Sequence, residues 1–236
     1  DRRQRQMCIR DSLKKCPIGD RNWTDESREL FIRLLASGSA LLNVWEDIDF
    51  IDVPGKLIPE WLGVRNRPSA SAAHRYTIDR HMVEVVTRLG RETPSGGRYD
   101  DRHYEALLLA GILHDIGKRP GVANHAAEGA RHATVVVERM GFDRDIVRWV
   151  TLLVREHLTL SEFATGRNPN DPNVGDDLAG RLDHNPVLLD MLFDLTRADG
   201  SSLGATSVET ISKQYGWSKW RETLVRTMYN ATRYHM

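Results

Sequence analysis

The sequence predicts an all-α fold, a helical bundle preceded by a helical lead-in. Three observations carry this expectation. Apolar residues recur at three-to-four spacing in one segment after another, the signature of amphipathic helices. No run alternates with a period of two, so nothing reads as a strand. Cap residues precede many of these segments, with Thr24, Asn124, Asp143 and Asn185 in front and Gly141 behind one of them.

At 236 residues the chain suits one large domain, or one domain and a shorter segment. A 40 % hydrophobic fraction is enough for a core. Thirty-three basic residues balance thirty-three acidic ones, so no global charge draws the chain to nucleic acid or an anionic membrane. The longest apolar run, residues 106–113, is far short of the roughly 20 residues that span a bilayer, and the Arg-rich beginning has no apolar segment behind it. A cytoplasmic protein is the expectation. The two cysteines, Cys8 and Cys16, form neither a zinc site nor a disulfide framework. Residues 1–20 read as non-native or disordered and carry no functional weight.

From Thr24, the apolar positions Leu30, Phe31, Leu34, Leu35, Leu41, Leu42 and Trp45 describe a helix that Gly38 bends or divides. Pro54-Gly55 marks a turn, residues 57–64 a short helix, and residues 65–73 a polar connection. Residues 21–73 form the lead-in; residues 74–236 form the main domain. There, Thr77 caps a helix with the stripe Ile78, Met82, Val85, Val86 and Leu89, and His81 lies beside that stripe. The next helix, from about Arg102 to Ile116, is apolar on nearly all sides from Ala106 onward and must be central. It ends in His114-Asp115-Ile116-Gly117-Lys118. A fourth helix fits residues 124–140, with His125 and Glu128 in its first turns. A fifth carries Ile146, Val150, Leu153, Val154 and His157 on one face. Residues 158–165 make one further turn, 166–172 a polar loop, and 176–182 a short helix. The helix opened by Asn185 or Pro186 has Leu188, Met191, Leu192, Leu195 and then Asp199 on one face. Residues 203–215 read as irregular, and a final helix from Ser218 uses Trp220, Leu224, Val225 and Met228.

An apolar run that ends in an adjacent imidazole and carboxylate needs explaining, because a buried carboxylate costs several kcal/mol unless a cation compensates it. Three further apolar stripes end in, or pass beside, a His or Asp. Singly, each has a bland reading: a satisfied core histidine at His81, a polar first turn at His125 and Glu128, a favourable helix C-terminus at His157, a solvated residue at Asp199. Together, helices packed on one core bring such residues to one place, as metal sites in bundles do. Imidazoles and carboxylates without thiolate suit Mn, Mg, Fe, Zn or Ni. His81, His114, Asp115 and Asp199 would hold one ion; adding His125 and His157 allows two, bridged by Asp115. Paired divalent ions suit phosphoester hydrolysis, and Lys118 would place a cation on the phosphate.

These residues resemble the HD superfamily of metal-dependent phosphohydrolases: His81, His114-Asp115 within HDIGK, and Asp199. The segments around them are similar to the bifunctional PII uridylyltransferase/uridylyl-removing family. They are His74 to His81, Asn124 to Ala130, Arg155-Glu156-His157-Leu158 and Leu195 to Asp199, with Ile58-Pro59-Glu60-Trp61, residues 64–68 and residues 216–220 in support. The resemblance spans roughly residues 25–232. It implies a hydrolase of nitrogen regulation that uses one or two divalent ions, Mn or Mg first, to remove a uridylyl or adenylyl group from the PII regulatory protein. By position, His81, His114, Asp115, His125, His157 and Asp199 become metal ligands, Asp115 and Lys118 catalytic, and Glu128, His74 and Arg75 supporting. It also implies that residues 21–73 are the tail of a nucleotidyltransferase region. The transferase site and the ACT domains of that family have no counterpart in this sequence, so a fragment is expected. Two other expectations stay open: an HD hydrolase of free nucleotides or guanosine tetraphosphate, and a non-catalytic helical module.

Overall fold

The computed structural model describes residues 23–69, 75–93, 96–203 and 216–236. The readings made for residues 1–20, for His74 and for residues 204–215 lie outside them. Within the described residues there are helices and no strand; Pro68 and Thr77 make one isolated bridge. No helix among them is long and apolar enough to cross a membrane.

Local chemistry sets the first elements. Thr24 accepts from the Ser27 amide at 3.1 Å and starts α1 (Asp25–Leu35). Gly38, at φ +57°, lets the chain turn into α2 (Ala40–Asp49), so the glycine divides two helices. Pro54-Gly55, expected as a turn, lies inside the short α3 (Val53–Leu57): a proline in the first turn loses no helical hydrogen bond. A 3₁₀ turn follows at Pro59–Gly63.

The main bundle comprises α4 (Ile78–Glu92), α5 (Asp101–Leu113), α6 (His125–Arg139) and α7 (Arg144–Glu156). α8 (Thr159–Gly166), α9 (Pro172–Arg181), α10 (Pro186–Ser201) and α11 (Lys219–Arg233) complete it. Every residue of α5 from Ala106 to Leu113 is buried, and the helix packs on α1, α4, α6, α7 and α10. Its apolar circumference is what a central helix requires, each buried Leu contributing about 1.5–3 kcal/mol. Two expectations are corrected. α9 starts at Pro172, because Asp171 caps it and proline suits the first helical position. Trp220 is 67 % exposed; α11 instead buries Val225, Met228 and Thr232.

The lead-in shares this core: Phe31, Leu35, Leu41, Trp45 and Trp61 are buried in the same apolar cluster as α4 and α5. Polar ties reinforce the contact. Arg28 donates to the Met140 carbonyl at 3.3 Å, and Arg119 to the Glu60 carbonyl at 2.8 Å. Glu60 takes a bidentate pair from Arg139 at 2.9 and 2.6 Å. Burial works against ionisation of Glu60, but Arg139 outweighs it and holds its pKa below the usual value. Replacing Glu60 with Gln should cost about 1–3 kcal/mol at neutral pH. The cost is full above the unfolded-state pKa of 4.5 and fades as pH falls through the lower folded-state value. Urea unfolding of both proteins across that range checks it.

Candidate metal centre

Five elements deliver side chains to one spot at the end of α5. His81 comes from the first turn of α4, its ring 1 % exposed. His114 and Asp115 follow α5 directly, at 0 % and 2 % exposure. His125 opens α6, placed there by Asn124, whose side chain accepts from the Ala127 amide at 2.9 Å. His157 caps the end of α7 at 2 % exposure. Asp199 projects from the last turns of α10, its side chain 22 % exposed.

The ring orientations follow from backbone tethers. His114 Nδ1 lies 2.9 Å from the Gly111 carbonyl and His157 Nδ1 2.7 Å from the Val154 carbonyl, each three residues back in the preceding helix. His81 Nδ1 lies 3.0 Å from the Ser202 carbonyl. A carbonyl only accepts, so each Nδ1 carries the proton and donates it, and in the neutral ring each Nε2 keeps its lone pair. Those Nε2 atoms converge. His81 Nε2 and His114 Nε2 are 3.3 Å apart, and Asp199 Oδ1 is 2.9 Å from the first and 3.9 Å from the second. Asp115 Oδ2 lies 3.6 Å from His114 Nε2 and 4.0 Å from His81 Nε2. Its other oxygen, Oδ1, lies 3.6 Å from both His125 Nε2 and His157 Nε2.

Asp115 Oδ1, His125 Nε2 and His157 Nε2 are all buried, and none has a hydrogen-bond partner among the described residues. Three unpartnered polar atoms gathered at one point are costly unless an ion joins them. Two sets have the spacing to hold a metal, His81 with His114 and Asp115, and Asp115 with His125 and His157. The imidazole and carboxylate donors therefore fit a divalent cation, and Asp115 is common to both sets.

Electrostatics agree. Burial alone would raise the Asp115 pKa, yet His114, Lys118, His157 and His81 overcome it and keep the carboxyl ionised. Lys118 Nζ donates to Asp115 Oδ2 at 2.8 Å with its side chain 26 % exposed. Burial pushes His114 down to about 4 and lowers His125, which keeps both rings neutral and able to ligate at pH 7. At His81, burial is outweighed by the hydrogen bond and charge of Asp199, and its pKa rises. Asp199 is held low by the same partner, against its own burial.

Two of the expected supporting residues, Glu128 and Arg75, lie among the described residues, and neither belongs to the two ligand sets. Glu128 pairs with Arg131 at 2.6 Å and with His132 at 3.0 Å. Arg75 is exposed, its backbone N–H donating to the Leu203 carbonyl at 3.0 Å. Sequence reasoning missed the reason for Gly117. A Cβ there would stand 2.2 Å from the Gly129 amide nitrogen and 2.3 Å from the His125 carbonyl oxygen, so only glycine lets this turn press against the start of α6. The pair Gly117 and Gly129 was visible as glycines; their contact across the fold was not.

Two outcomes follow. Gly117→Ala should push His125 away from Asp115, lowering metal affinity about 10–100-fold and stability by about 1–3 kcal/mol, read by metal titration and thermal unfolding. Metal affinity should also fall as pH drops through the raised pKa of His81, because the ion must displace that proton; calorimetry in buffers of different ionisation enthalpy counts the proton released.

No family model matches the chain. Known proteins do. It is 36 % identical over 204 residues to the bifunctional uridylyltransferase/uridylyl-removing enzyme of Streptomyces coelicolor, covering 86 % of this chain and 22 % of that protein. The Mycobacterium tuberculosis enzyme of that name is 32 % identical over 203 residues, covering 86 % and 23 %. The Caulobacter vibrioides enzyme is 34 % identical over 214 residues, covering 86 % and 21 %. The chain thus spans about a fifth of the length of the curated relatives it matches, and along most of its own length it is homologous to a segment of the bifunctional uridylyltransferase/uridylyl-removing enzymes.

Proposed function

We propose that this chain is the hydrolytic, HD-type part of such an enzyme, and that it removes a nucleotidyl group from a tyrosine of the PII regulatory protein. The observation that carries this reading is the buried carboxylate of Asp115 shared between two ligand sets. The relatives' name supports it, since uridylyl removal is the cleavage of a phosphodiester. Residues 21–73 then correspond to the tail of the transferase region.

His81, His114, Asp115 and Asp199 would hold one divalent ion; Asp115, His125 and His157 would hold a second. A divalent metal supplies a nucleophile at neutral pH and neutralises charge on the phosphate oxygens. The chain's residues do the rest. Backbone carbonyls fix three of the four imidazoles, those of His81, His114 and His157, by their Nδ1–H, so much of the ligand geometry exists before substrate arrives. Lys118, a quarter exposed, can meet a phosphate oxygen while still balancing Asp115. In the reaction, water adds to phosphorus and the phosphorus–tyrosyl oxygen bond breaks. The products are a nucleoside monophosphate and free tyrosine. Tyrosinate, with a pKa near ~10, leaves without a strong general acid.

The test is hydrolysis of uridylylated and adenylylated PII by the Mn²⁺-loaded protein, beside free nucleotides, guanosine tetraphosphate and bis-p-nitrophenyl phosphate. Release from PII is the expected result. Turnover of nucleotides alone would move the reading to a nucleotide hydrolase, and no turnover of any diester would leave a non-catalytic module. Asp115→Ala should bring metal content and hydrolysis to background; survival of hydrolysis would sink the site assignment. Lys118→Ala should lower kcat about 10²–10³-fold, as loss of a charge-stabilising donor does, with metal content retained.

A further inference from the structure

We infer that Arg88 is a positioning residue for one half of the centre: it locks the end of α10 to α4 and so sets where His81 and Asp199 stand. The inference rests on the reading of this centre as a two-ion site.

The tethers of the imidazoles differ in reach. His114 and His157 donate to carbonyls three residues back in the helices they end, so local backbone fixes them. His81 instead bonds to the Ser202 carbonyl, 121 residues on, and to the Asp199 carboxylate, 118 residues on. Its orientation therefore depends on how α10 docks against α4. No group of α10 belongs to the set of Asp115, His125 and His157.

The end of α10 needs donors as any helix end does, because the last four carbonyls have no partner within the helix. Each of them has one here. Ser202 donates its hydroxyl to the Ala198 carbonyl at 2.7 Å and its amide to that of Asp199 at 3.0 Å. The Trp217 amide serves Gly200 at 2.9 Å. The fourth carbonyl, on Ser201, accepts from the Arg88 guanidinium at 3.1 Å. Of these donors only Arg88 comes from α4. A second guanidinium nitrogen reaches the Ser202 hydroxyl at 3.4 Å, on the residue whose carbonyl holds His81. The third pairs with Glu92 at 2.9 Å, and Glu92 reaches back to Arg197 of α10 at 3.2 Å. The last turn of α10 has no basic residue of its own, so Arg88 also supplies the cation that a helix C-terminus favours. It stands seven residues after His81, two turns along the same face of α4.

The experiment titrates Mn²⁺ calorimetrically into two backgrounds. His125→Ala leaves the set of His81, His114, Asp115 and Asp199; Asp199→Ala leaves the set of Asp115, His125 and His157. Adding Arg88→Met keeps the stem and removes every donor. It should weaken Mn²⁺ about tenfold in the first background, as loss of a ligand's outer partner does, and by no more than about twofold in the second. No weakening in the first overturns the inference, and so does equal weakening in both, which is what a general loss of stability would give. Should Arg88→Met fail to fold, Arg88→Lys, which keeps the charge but not the three-armed fork, takes its place with the same selectivity expected. A readout without metal separates Arg88 from the two-ion reading. The His81 Nδ1–H resonance of the ion-free protein, assigned by His81→Gln, should exchange with water faster when Arg88 alone is replaced. If even the wild-type protein binds no Mn²⁺, the two-ion reading falls while faster exchange still upholds Arg88 as what orients His81; unchanged exchange overturns it.

Discussion

The buried carboxylate of Asp115 is the constraint on which the rest of the structure depends. It is 2 % exposed just past the end of a helix whose residues 106–113 are all buried, where an uncompensated charge would cost several kcal/mol. Against that burial, four groups from three directions lower its pKa: His114 beside it, Lys118 one turn on, His157 from α7 and His81 from α4. Each partner must arrive at a fixed distance, and that requirement reaches into local details. The Gly117 turn must touch the backbone of α6. Asn124 must start α6 at His125. α7 must end at His157 so that its ring can donate back to Val154.

The lead-in takes part in the same scheme. Asp79, two residues before His81, accepts the backbone N–H of Asn66, a residue at φ +55°, while Ile78 donates to the Arg67 carbonyl at 2.8 Å. The chain entering α4 is thus pinned on the side opposite the cluster. With Trp61 fully buried in the shared core and Glu60 held by Arg139, the segment before residue 74 sets the position of α4. None of its described residues belongs to the two ligand sets, yet they bear on where His81 stands.

What could be read in the sequence was whatever follows helical period. Stripes such as Ile146, Val150, Leu153 and Val154 lead the eye to His157, and an amphipathic helix must point that face inward. The six residues gathered that way do come together. Contacts between elements were not legible. Glu128 sits one turn after His125, and from the sequence alone it is as good a neighbour to the cluster as any. In the fold it meets Arg131 and His132, three and four positions further along the same helix. His81 was open between a satisfied core histidine and a ligand; it is fully buried and also faces His114, a distinction that only tertiary distance makes. The start of α9 was within reach, since Asp171-Pro172 is a cap followed by a first-turn proline.

Exposure gives the centre a direction. His81, His114, Asp115 and His157 have side chains 1–3 % exposed, whereas Asp199, His125 and Lys118 are 22 %, 26 % and 26 % exposed. The buried four form the floor. The exposed three come from α10, α6 and the turn after α5, so they ring the point where solvent reaches the cluster. A molecule approaching from there meets first a cation, an imidazole and a carboxylate. Lys118 then has a defined place: its ammonium donates to Asp115 Oδ2 at 2.8 Å while a quarter of the side chain stays exposed, so it presents positive charge at that opening. The dry floor strengthens every charge interaction made above it, which is why the carboxylate at its centre had to be buried.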